Sequence, residues 1–88
     1  MDASFAIYPN PTSTGSFVLE YNDARRGELI FAQQSMTKLV MMDITGKVVF
    51  KTNVVLNGNV AEINFGELES GLYLVDFGGE RSRLQVVR

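Results

Sequence analysis

Residues 71–87 read GLYLVDFGGERSRLQVV. Leu72 and Leu74 alternate with Tyr73, Val75 and Phe77. Beyond a Gly78-Gly79 pair, Arg81, Arg83 and Gln85 alternate with Ser82, Leu84 and Val86. Period two is the mark of a strand, whose successive side chains point to opposite faces. Paired glycines between two such runs make a tight reversal, because glycine reaches positive φ without a Cβ clash. The stretch is therefore an antiparallel hairpin with one apolar face, and one apolar face requires a second layer to cover it.

The same period returns wherever the reading moves outward. SFVLEY (16–21) sets Phe17, Leu19 and Tyr21 against Val18 and Glu20, and NVAEINF (59–65) sets Ala61, Ile63 and Phe65 against Val60, Glu62 and Asn64. Glu28–Gln33 and Lys38–Ile44 are short apolar runs, and Lys47–Leu56 is rich in β-branched residues. DITGK (43–47) places Asp43 and Gly46 for a type I turn ending in a left-handed glycine. LNGNV (56–60) holds Asn57-Gly58, a strong hairpin signal. No window sustains a helical stripe, and only FGELESG (65–71) leaves room for a single helical turn. NDARRGE (22–28) is the most polar stretch and reads as an exposed loop. Seven or eight short strands, with turn signals about every ten residues, predict an all-β antiparallel sandwich or small barrel.

YPNPTSTGSF (8–17) precedes the first core strand. Pro9 and Pro11 fix their own φ and push Tyr8 and Asn10 towards extended conformations. Prolines cannot donate to a ladder, which suits an edge strand or its exit. Thr12, Ser13 and Thr14 can bond local backbone, and Gly15 can turn the chain back. A rigid corner between two strands accounts for every residue here.

Composition narrows the functions. The 88 residues make one domain, with an ordinary apolar share of 45%. There is no cysteine and no histidine, so disulfides, thiolates and the usual general base and metal ligand are excluded. The net charge of −2 argues against nucleic acid, which calls for a basic excess. No apolar run reaches the roughly 20 residues of a membrane-spanning helix, and MDASFAIY is not a secretory signal peptide. Residues 1–4 read as a linker or cloning remnant, and 5–88 as the domain.

Candidate sites are few. Asp43–Lys47 is better read as turn chemistry than as a ligand loop. Glu67 and Glu69 are too few oxygens for calcium. Thr12, Ser13 and Thr14 have no base beside them, so nucleophilic catalysis is not expected. No enzyme activity and no cofactor are expected. Tyr8, Tyr21 and Tyr73 would serve a carbohydrate-binding or adhesive module if exposed, although each sits in an apolar alternation that favours burial. Met36, Met41 and Met42 read as core filler and strand edge.

Four blocks together resemble the type A C-terminal sorting domain of type IX secretion cargo: IYPNPTSTGSFVLEY, MMDITGKVVF, NFGELESGLYLVDF and RSRLQVVR. The resemblance covers about Phe5 to Arg88. It implies an immunoglobulin-like β-sandwich at the C-terminus of a larger cargo of a Gram-negative bacterium. The parent would cross the periplasm, be directed to an outer-membrane translocon, lose the domain to a sortase-like cysteine protease, and stay at the cell surface or be released. By position, Pro9, Asn10 and Pro11 match the family's early corner, Asp43, Gly46 and Lys47 its hairpin, and Gly71, Tyr73 and Val75 its penultimate strand. Val86, Val87 and Arg88 match its ending. Arg81, Arg83 and Arg88 stand where that ending usually carries lysines, which keeps the charge but changes donor geometry. Ile30–Val40 looks specific to this chain.

Two expectations follow for the terminal strand, with Arg83 on its polar face. Its free edge would be offered to the translocon for strand addition, and deleting Leu84–Arg88 would then stop export. An open edge would also let the isolated domain pair as a homodimer.

Overall fold

The computed structural model describes residues 5–21 and 36–88. The readings placed on residues 1–4 and on 22–35, including the Glu28–Gln33 run and the polar loop, lie outside the described residues. Among the described residues, seven strands follow in order: β1 (Phe5–Tyr8), β2 (Ser16–Tyr21), β3 (Thr37–Asp43), β4 (Val48–Val54), β5 (Val60–Asn64), β6 (Gly71–Phe77) and β7 (Glu80–Val86). They form a three-stranded sheet ordered β1-β2-β5 and a four-stranded sheet ordered β4-β3-β6-β7, and all their pairings are antiparallel.

The alternation seen in the sequence decides which face turns inward. Phe17, Leu19 and Tyr21 of β2 meet Leu39 and Met41 of β3, Tyr73, Val75 and Phe77 of β6, and Leu84 and Val86 of β7 in one buried core. Phe77 sits at its aromatic centre. Its ring packs edge-on against Phe5, with centroids 5.7 Å apart, and in a tilted arrangement against Tyr21 at 5.9 Å. Phe5 and Tyr21 belong to one sheet and Phe77 to the other, so these rings join the layers. The Tyr73 hydroxyl donates to the Glu69 carbonyl at 2.7 Å. A tyrosine near the start of the penultimate strand, bonded back to the chain just upstream, is a hallmark of immunoglobulin-like sandwiches.

Two glycine turns fold as expected. Gly46, at φ 90°, closes the β3–β4 hairpin, with the Gly46 N–H donating to the Asp43 carbonyl. Gly78 and Gly79, at φ 61° and 90°, join β6 to β7 across the Phe77–Glu80 pair.

Three expectations are corrected. Asn57-Gly58 does not join neighbouring strands. Asn57 and Val60 bridge each other around Gly58 and Asn59, but β4 and β5 belong to different sheets. The local signal was real, and tertiary layering decided what it connects. Residues 65–70 contain no helical turn, because Phe65 is drawn into the core and the Tyr73 bond holds Glu69. Met36 is exposed and is not core filler, whereas Met41 is fully buried.

Among the described residues β4 and β5 do not pair, so the described strands form an open sandwich and not a closed barrel. The opposite side is bridged. After β1 the chain leaves the three-stranded sheet through Pro9–Pro11, and Thr12 forms a parallel bridge to Val86 of the other sheet.

Candidate functional site

β3 runs antiparallel to β6, and β6 to β7. The end of β3, the start of β6 and the end of β7 therefore fall at the same end of the four-stranded sheet. Asp43 pairs with Tyr73, and Gly71 with Val86. Thr12 joins Val86 from the other layer. Motifs that are scattered along the chain thus meet at one end of the molecule.

The corner formed by residues 9–12 clasps the last strand. The Asn10 side chain donates through Nδ2 to the Arg83 carbonyl and accepts through Oδ1 from the Gln85 N–H, both at 2.9 Å. It presents to β7 the donor and acceptor that a neighbouring strand would offer. The Thr12 N–H then donates to the Gln85 carbonyl, and the Val87 N–H donates to the Thr12 carbonyl, again at 2.9 Å. Thr12 is fully buried, and its hydroxyl donates to the Ser16 carbonyl at 2.6 Å. The Arg88 N–H is taken by the Ser70 hydroxyl.

This overturns the free terminal edge. From the Arg83 carbonyl to the Val87 N–H, the outward positions of β7 are already bonded, so strand addition there would have to displace Asn10 and Thr12. The deletion of Leu84–Arg88 also loses its meaning as a test of recognition, because Leu84 and Val86 are core residues. Asn10→Ala removes two hydrogen bonds and is expected to cost about 1–3 kcal/mol, at roughly 0.5–1.5 kcal/mol net for each. Amide exchange should quicken at Gln85 while the Leu84 amide, which faces β6, keeps its protection. Equal protection at Gln85 in both proteins would contradict the clasp.

Asp43 organises the hairpin at the same end. Its Oδ1 accepts from the Thr45 N–H at 2.9 Å, the Lys47 N–H at 3.0 Å and the Thr45 hydroxyl. The Thr45 hydroxyl, with smaller help from the Lys47 and Thr45 amides and the Lys47 charge, holds its carboxyl below the ordinary value. A carboxyl depressed in the folded state stabilises it above the ordinary value of 3.8, and the gain is lost as pH falls through the lower folded value. Asp43→Ala should therefore melt earlier than wild type at pH 7. The gap should narrow below about pH 4, the ordinary range of an aspartate, as thermal melts across pH will read.

The other candidate residues divide by depth. Tyr73, Val75 and Val86 are core residues, so their side chains shape the fold and are not offered at the surface. Pro9, Pro11, Gly46, Lys47, Gly71, Arg83, Val87 and Arg88 are exposed. Tyr21 and Tyr73 are buried, with Tyr21 bonded to Glu80 at 2.9 Å, and Tyr8 alone of the three tyrosines is exposed. A three-tyrosine sugar platform does not exist in this fold.

Residues 6–87 match the family described as secretion system C-terminal sorting domain, and the chain belongs to that family. Its role is thus that of a type IX sorting domain, which means export through the outer membrane to the cell surface or the medium. Among solved structures it is similar to PorZ, an essential bacterial surface component of the type-IX secretion system of Porphyromonas gingivalis. The identity is 18% and the TM-score 0.59, over 96% of this chain and 11% of that one, so the likeness concerns the fold. The chain spans about a tenth of PorZ's length. A search of curated proteins returned no match.

Proposed function

We propose that residues 5–88 are the detachable transport address of a larger cargo protein. The cargo crosses the periplasm with this domain folded, and the type IX translocon reads the domain at the outer membrane. A sortase-like cysteine protease then removes it, leaving the cargo at the surface or in the medium. The domain itself catalyses nothing. The observation that carries this reading is the family match across 6–87, whose blocks converge on one end of the sandwich. The cut falls at or before Ser4, because cutting further in would remove β1 and the Asn10 clasp.

The test is a fusion of an export signal, a reporter and residues 1–88, expressed in a type IX-competent bacterium and in a translocon-deficient sister strain. The reporter should reach the outside, freed of the domain, in the first strain, and stay in the periplasm in the second. Equal release from both strains would refute the reading. The isolated domain is also expected to self-associate weakly through β4 and β5, the edges that the clasp does not reach. Sedimentation showing monomer at all concentrations would contradict that.

A further inference from the structure

An antiparallel sheet with one wet face alternates cleanly between apolar and polar residues. The two central strands of the four-stranded sheet do not. On β3, Leu39 and Met41 point into the core while Val40 and Met42 point outward. On β6, Tyr73, Val75 and Phe77 point inward while Leu72 and Leu74 point outward. The register sets these outward residues side by side. One row across the sheet is Val48, Met42, Leu74 and Arg83, and the next is Lys51, Val40, Asp76 and Arg81. The bulge between Met41 and Met42 brings Val48 opposite Met42. Val48 is 49% exposed and Leu72 44% exposed. The result is a continuous apolar strip along the middle of the outer face.

Charge frames this strip. Lys51 lies on the β4 flank and Arg81 and Arg83 on the β7 flank, while Lys38 stands at one end of the strip on β3 itself. Asp76, in the second row, is engaged by Arg81 at 3.2 Å. The three-stranded sheet is the opposite: its strands carry Glu20 and Glu62 and no lysine or arginine. Its outward apolar residues are interrupted by charge: Ala6 and Val60 each face Glu20, and Val18 lies between Tyr8 and Glu62. The net acidity of the chain thus hides a sandwich with one basic, apolar-centred face and one acidic, chequered face.

We infer that the outer face of the β4-β3-β6-β7 sheet is the surface by which the sorting domain is read, and that it fits a protein bearing an apolar ridge rimmed by carboxylates. Apolar contacts at the centre supply affinity, and the flanking cations orient the encounter. The occupant is a different protein rather than a second copy. Stacking this basic face on the acidic sheet of another copy is a heterologous contact that does not close and would build filaments of cargo. The inference deepens the sorting function proposed above and rests on it.

The test uses the same reporter fusion. Leu72→Glu places a charge in the strip, and the Lys51→Glu/Arg83→Glu pair reverses both flanks. Each is an outward position, and melting of the purified domain checks that each variant folds. Export should fall about tenfold or more in both, as expected when a central contact or a complementary charge is lost. Glu62→Gln, on the other face, should leave it unchanged. A photo-crosslinking residue in place of Leu72 should join the domain to one outer-membrane protein at a carboxylate-rich surface, whereas the same residue in place of Val18 should not. Folded variants exported like wild type would overturn the docking face and leave the sorting function intact. So would a Leu72 adduct formed mainly with a second copy or with lipid. An unaltered fusion that never leaves the cell would bring down the sorting function, and the docking face with it.

Discussion

Phe77→Ala is expected to unfold much of the population at growth temperature. The ring is almost fully buried and touches Phe5 and Tyr21 across the layers. Removing a buried phenylalanine costs about 3–5 kcal/mol, from lost transfer energy and the cavity left behind. A domain of this length holds roughly 4–13 kcal/mol in all, at about 0.05–0.15 kcal/mol per residue. At about 4–8 °C per kcal/mol for small domains, the melting point should drop by more than about 12 °C. Ile44→Ala, at an exposed turn position, should move it by no more than the roughly 0.5 kcal/mol typical of surface changes. Export of a fused reporter should fail along with folding. A Phe77→Ala domain that melted near wild type would mean that the inter-layer aromatic cluster is not what holds the sheets together.

Gly15→Ala should be the most damaging change outside the core. Gly15 has φ +79°, a conformation that costs other residues about 1–2 kcal/mol. An added Cβ would also stand 2.7 Å from the Gly66 carbonyl oxygen. That backbone has little room to retreat, because the Gly15 carbonyl already accepts from the Phe65 and Gly66 amides at 2.9 and 3.2 Å. Strain and collision together should cost about 2–4 kcal/mol, the upper range for single substitutions. Gly46→Ala separates the two causes. Gly46 has φ +90° but nothing within 4 Å of its missing Cβ, so only the conformational part should appear. Urea denaturation of the two variants reads the difference as a shift in midpoint at constant slope. Equal losses at both positions would show that the contact with Gly66 yields.

The layers were legible because burial follows period two. Phe17, Leu19, Tyr21, Tyr73, Val75, Phe77, Leu84 and Val86 all point inward, as their alternation requires. The DITGK and Gly78-Gly79 turns were legible because their chemistry is local. What failed was non-local. Asn57-Gly58 carries the same local signal whether the chain returns to its own sheet or crosses to the other. PNP read as a strand exit, and its role as a clasp could not be seen, because the partners of Asn10 lie more than seventy residues away. The outward apolar residues of β3 and β6 were visible as letters in LVMM and GLYL. Only the register showed that they adjoin one another and lie between Lys51 on one side and Arg81 and Arg83 on the other.

The clasp bears on timing as well as on shape. The Asn10 side chain and the Thr12 backbone find their clasp partners among residues 83–87. A ribosome emitting the chain in order would have delivered nearly all of it before the seam could form. Joining points so distant in sequence is slow, since the entropy of closing the long loop comes before the reward. The body of this domain should therefore mature after its synthesis is complete, and a chain interrupted just short of Gln85 would still have its first corner waiting.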